Sequence, residues 1–141
     1  MRRSLAVVAL AVVLPLADAR AEKVTIETGP FAVSCTGATQ LCDPPQTLAI
    51  GDPAKKLTIR KIVYEASAEH CSAGRLLIDL DGQPFGKMKF VIGRERSTLR
   101  KRRALAPGTH TLAFRFEGRT GGCNAGYVAS WGGAITVTAR R

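Results

Sequence analysis

"RLLIDLDGQPFGKMKFVIG", residues 75–93, is the stretch whose reading decides the fold. Leu76, Ile78 and Leu80 recur at every second position, and Met88, Phe90 and Ile92 do the same on the way back. A period of two puts each set on one face of a strand, which a helix of period 3.6 cannot do. Asp81-Gly82 lies between the two runs and supplies the turn chemistry of a tight hairpin.

The same alternation continues outward in both directions. "KVTIE" (23–27), "FAVSC" (31–35) and "TLAIG" (47–51) are short strand candidates, separated by "TGATQLCDPPQ", a loop by its Gly, Asp and paired prolines. "KKLTIRKIVYEASA" (55–68) is longer and rich in β-branched residues. Leu57 and Ile59 have one parity while Ile62, Tyr64 and Ala66 have the other, so a bulge is expected near Arg60-Lys61. "LAPGTHTLAFRFEG" (105–118) is a Pro-Gly turn feeding an alternating strand, and "YVASWGGAITVTARR" (127–141) supplies the last one or two. About eight strands and no amphipathic helix predict an all-β, antiparallel β-sandwich, jelly-roll-like or immunoglobulin-like. "LAPGTHTLAFRF" resembles a turn-strand element of secreted β-sandwich modules, carbohydrate-binding modules among them. That resemblance covers a dozen residues and implies fold alone.

The N-terminus reads differently. "MRRSLAVVALAVVLPLADARA" has a cationic start, a short apolar run and small residues spaced for a signal peptidase. The run is shorter than the ~20 residues a bilayer core requires. Residues 1–21 are therefore expected to be a secretory signal, and residues 22–141 a single β-sandwich domain, exported to a periplasm or the exterior. With the leader go three arginines and one aspartate, which lowers the formal charge from +10 to +8.

Cys35, Cys42, Cys71 and Cys123 all follow the leader, and an even count in an exported chain reads as two disulfides. Three pairings are open, of which Cys35–Cys42 with Cys71–Cys123 is preferred. A metal site using these cysteines with His70 is disfavoured, because neither a Cys-x-x-Cys nor a His-x-x-x-His pair is present.

Catalytic chemistry finds little support. No Gly-x-Ser-x-Gly turn frames Ser130, His70 adjoins a cysteine expected to be bonded, and His110 sits at a turn-to-strand position. Asp79 and Asp81 start like a calcium loop, but its further oxygen ligands and closing Glu are missing. No catalytic residue, cofactor or metal is expected. Tyr127 and Trp131 share one side of an extended strand and form a candidate ligand platform, the competing role for Trp131 being the core.

The remaining lead is "RERSTLRKRR" (94–103), six cations and one carboxylate in ten positions. Arg94, Arg96, Arg100, Lys101, Arg102 and Arg103 are the candidate anion-binding residues. In an extended chain Arg100 and Arg102 point one way, Lys101 and Arg103 the other, so the segment is an edge strand or an exposed loop. Arginine's planar fork suits phosphate, sulfate and carboxylate. Interleaved aromatics are missing, so no specific nucleic acid partner is indicated. The expectation is an exported, non-enzymatic binding module for an anionic envelope or extracellular polymer. The alternative is a protein-binding module, such as an inhibitor or envelope assembly component.

Overall fold

The computed structural model describes residues 21–36, 41–68, 70–90, 93–125 and 128–141. Residues 1–20 of the expected secretory leader, Ile92 and Tyr127 lie outside them. Ten strands are present among the described residues: β1 Lys23–Glu27, β2 Phe31–Thr36, β3 Cys42–Asp43, β4 Gln46–Asp52, β5 Leu57–Ala66, β6 Gly74–Leu80, β7 Gln83–Phe90, β8 Arg96–Leu105, β9 Gly108–Gly118 and β10 Val128–Arg140. The two beyond the expected eight or so are the two-residue β3, inside the segment read as loop, and the basic segment itself, which is a full strand, β8.

The strands form two sheets that pack as a sandwich. One has the order β3-β2-β10-β5-β8, with β1 also paired to β10, and the other runs β4-β9-β6-β7. Without the short β1 and β3, the eight remaining strands fall in sequence order 1-8-3-6 and 2-7-4-5. That is the double Greek key of a jelly roll, so the topology decides between the two sandwiches the sequence left open.

Alternation along each strand builds the interior. Leu76, Ile78 and Leu80 of β6 face Leu112, Phe114 and Phe116 of β9, and opposite them lie Ile59, Ile62 and Tyr64 of β5 and Ile135 and Val137 of β10, all buried. The β6–β7 hairpin closes through Asp81 (φ 51°) and Gly82 (φ 75°), two successive positive-φ residues, as an Asp-Gly turn of primed type requires. A register shift at Ile78/Asp79 leaves Phe85 as the additional residue of β7, where it joins Met88 in the core. Pro84 costs no ladder bond to a further strand because β7 is an edge.

The expected bulge is present. Lys61 pairs with Thr138 but Ile59 with Ala139, so β5 carries one residue more than β10 at Arg60. This lets Leu57, Ile59, Ile62 and Tyr64 all reach the core despite their change of parity.

Both disulfides follow the preferred pairing. Cys35–Cys42 links directly opposite residues of β2 and β3, and Cys71–Cys123 ties the β5–β6 connection to the β9–β10 connection. Among the described residues no helix is long and apolar enough to cross a membrane.

The hairpin tip carries a titratable clamp. His110 Nδ1 meets Asp81 Oδ2 at 2.7 Å and its Nε2 meets the Ala106 carbonyl at 3.1 Å, while the Thr111 N–H donates to Asp81 Oδ1. An acceptor at each nitrogen favours the protonated ring. The bond to Asp81, then that to Ala106, raises its pKa above 6.5. The bond from His110, then that from Thr111, lowers Asp81 below 3.8. A raised histidine contributes stability in full below its unfolded pKa and loses it as pH climbs through the folded value; a lowered aspartate loses its contribution as pH falls through its folded value. The clamp is therefore strongest between these limits, in mildly acidic solution. An NMR titration should show His110 titrating above 6.5, and Asp81→Asn should bring it down. An unchanged His110 titration in that variant would show that the contact does not form in solution.

Candidate functional site

β8 lies at one edge of its sheet, paired only with β5. Leu105 is buried opposite Leu57, and Leu99 packs against the core opposite Ile62, so the odd-numbered side chains face inward and Arg96, Arg100 and Arg102 face outward. Such splayed charge is tolerable only on an edge, where it also obstructs pairing with another chain.

The structure divides the six predicted cations into groups. Lys101 leans inward to β7, donating to the Phe85 carbonyl, with its ammonium 4.9 Å from the Phe85 ring centroid. It binds the two sheet edges together. Arg103, on the same side, lines a small cavity of about 130 Å³ with Gln83, Pro84 and Phe85. Arg94 and Arg96 border a groove of about 270 Å³ with Lys87 and Lys89 of β7. Arg96 reaches Glu65 at 3.2 Å, and it is the one member of the six with an ion pair among the described residues.

Arg100 and Arg102 enter a larger assembly on the outer sheet face, most of which the sequence reading missed. Arg100 lies opposite Lys61, and Arg140 of β10 lies opposite Lys23 of β1. The β5 bulge turns Arg60 outward beside Lys61. β8 in turn has one residue more than β5 at this level, since Ile59 pairs with Arg103 and Lys61 with Arg100. These irregularities place Arg60 between Arg102 and Arg140. Burial, then the charges of Arg102 and Arg140, lowers the Arg60 pKa. Its Nε is enclosed and makes no hydrogen bond among the described residues. One signal was legible in advance: the Arg60-Lys61 doublet falls at the change of parity, where a bulge directs both outward.

Trp131, the predicted platform residue, is in the core at 5 % exposure, its Nε1 donating to Cys35 Sγ at 3.1 Å. Its ring lies 5.0 Å from that of His70, which stacks on Tyr64 at 5.7 Å. Trp131 thus faces the interior. Burial lowers the His70 pKa, which favours a neutral ring, and pushes the Tyr64 phenol far above its ordinary value. The Tyr64 hydroxyl donates to the Gly132 carbonyl at 2.8 Å. Beside this cluster a cavity of about 450 Å³ is bounded by Trp131, His70, Ser72, Asn124 and the Cys71–Cys123 bridge.

No family model matches the chain, and no curated protein matches it in sequence. Among solved structures, the infectious bursal disease virus VP2 subviral particle is 12% identical with a TM-score of 0.49, over 94% of this chain and 37% of that one. A family 35 carbohydrate-binding module from Clostridium thermocellum is 9% identical with a TM-score of 0.45, over 84% and 97% of the respective chains. The CBM36-1 domain of a multidomain xylanase from the hindgut metagenome of Trinervitermes trinervoides is 9% identical with a TM-score of 0.43, over 85% and 97%. The chain spans about a third of the length of the viral chains it matches. No ligand or residue role comes with these similarities.

Proposed function

We infer that the protein is an exported, non-enzymatic binding module for an anionic envelope or extracellular polymer, held against the outward face of β8 and its neighbours. The observation that carries this reading is the row Arg100 and Arg102 beside Lys61, Arg60, Arg140 and Lys23, to none of which an ion pair is assigned among the described residues. Like charges directly opposite one another destabilise a sheet. A polyanion laid across them relieves that repulsion and releases its own counterions. The two disulfides fit an oxidising compartment, where such polymers are met.

The test is binding of the oxidised protein to lipopolysaccharide, heparin, DNA and a neutral glucan at low and physiological salt. Two variants separate the faces of β8: Arg100→Ser/Arg102→Ser outward, and Arg103→Ser inward. The outward pair should weaken polyanion binding at every salt concentration and reduce the slope of log K against log salt by about two, roughly one per lost phosphate-type contact. Arg103→Ser should do much less. Binding that is weak, indiscriminate, lost at physiological salt and indifferent to the outward pair would reduce β8 to a solvated edge.

A further inference from the structure

We propose that Arg60, Arg102 and Arg140 together form a clamp for a tetrahedral oxyanion, a sulfate or phosphate group, in preference to a carboxylate. The proposal rests on the outward-face reading above and deepens it, because it names the chemical group that the face selects.

The argument begins with topology. β10, β5 and β8 are consecutive neighbours, and strands lie about 4.8 Å apart. Arg140, Arg60 and Arg102 stand on these three strands, on the outer face and at adjacent levels: Thr58 pairs with Arg140, and Arg60 falls between the Ile59–Arg103 and Lys61–Arg100 pairs. Regular pairing would turn one of Arg60 and Lys61 into the core. The bulge turns both outward and places Arg60 at the centre, with one guanidinium on each side. A carboxylate offers two oxygens in one plane, which a single guanidinium fork satisfies. A sulfate or phosphate group offers oxygens in three directions, so it can accept from three forks approaching from three strands.

Arg60 adds two further observations. Its Nε is enclosed and bonded to nothing among the described residues, although an arginine donor shut away from water ordinarily has an acceptor. Its charged form is disfavoured by burial and by two like charges, the condition that an anion with double charge reverses. Three carboxylates on or beside this sheet are engaged elsewhere: Glu65 with Arg96, Glu27 with the Thr136 hydroxyl and Glu22 with Arg141.

The experiment measures thermal stability and binding of the oxidised protein with inorganic sulfate, inorganic phosphate, acetate and chloride at matched ionic strength. It is repeated with Arg102→Gln, Arg140→Gln and Arg60→Lys. Sulfate and phosphate should raise Tm well beyond chloride and bind about ten-fold more tightly than acetate. Arg102→Gln should raise Tm without added oxyanion, since it removes a like charge, and should abolish the rise that sulfate produces. Arg60→Lys keeps the charge but loses the fork, so the sulfate-specific rise should fall while overall polyanion attraction remains. Heparin and a polyphosphate then distinguish sulfate from phosphate as the source, and polygalacturonate supplies the carboxylate control. If all anions act alike at matched ionic strength, or if the sulfate response survives in Arg102→Gln and Arg60→Lys, the clamp is overturned. Should polygalacturonate nevertheless bind through Arg100 and Arg102, the broader reading stands without it; should no polyanion depend on those residues, both fall.

Discussion

Replacing Cys71 and Cys123 together by serine is expected to lower the free energy of unfolding by roughly 4 kcal/mol. The bridge spans 52 residues, and in the chain-entropy account a crosslink restricts the unfolded ensemble more as its loop lengthens. The same replacement at Cys35 and Cys42, 7 residues apart, should cost about 2 kcal/mol. Location reinforces the contrast. Cys71–Cys123 joins two connections at one end of the sandwich, where the Cys123 N–H also donates to the Cys71 carbonyl at 3.2 Å. Cys35–Cys42 joins strands already paired in register. Urea denaturation of the oxidised protein and of both double variants measures the two losses directly. A 35/42 variant that loses as much as the 71/123 variant would show that local packing, and not loop closure, governs both.

Gly133→Ala is expected to lose about 3 kcal/mol or more, from overpacking joined to backbone strain. Gly133 has φ 155°, and a Cβ there would lie 2.1 Å from the Glu65 carbonyl oxygen and 2.8 Å from Tyr64 Cε2. The first obstacle is backbone in a neighbouring strand, so no rotamer change relieves it. The second belongs to a fully buried ring, in edge contact with Phe116 at 5.2 Å. Relief requires β10 and β5 to separate where their ladder ends, at the Gly133–Ala66 pair. The adjacent Ala134→Gly is the control, expected to cost about 0.5–1 kcal/mol through backbone entropy. Comparable stabilities for the two variants in thermal and urea unfolding would contradict the close approach of β5 and β10 at this position.

The two substitutions also mark how far a linear reading reaches. The sequence pointed to the disulfide pairing through spacing and compartment, because a short Pro-bounded loop closes easily and leaves the other two cysteines to each other. Nothing near Gly133 reveals that the Glu65 carbonyl lies against it, since those residues meet only when β5 and β10 pair. The binding face divides in the same way. That Arg100 and Arg102 point opposite to Lys101 and Arg103 follows from strand period alone. That Lys101 is occupied with Phe85, and that Trp131 packs in the core, depends on which strand became the neighbour.

The sequence by itself determined the all-β class, the β6–β7 hairpin with its Asp-Gly turn, the bulge near Arg60 and the two-faced charge of β8. Each is set by backbone geometry within a few residues, where side-chain direction follows from the count along the strand. The tertiary structure alone decided the jelly-roll order, the edge position of β8 and the meeting of Arg60, Arg102 and Arg140. Those residues are far apart in sequence, and hydrophobic burial, which drives the sheets together, is non-directional. Only the pairing register and the bulges of β5 and β8 specify which charges end up side by side.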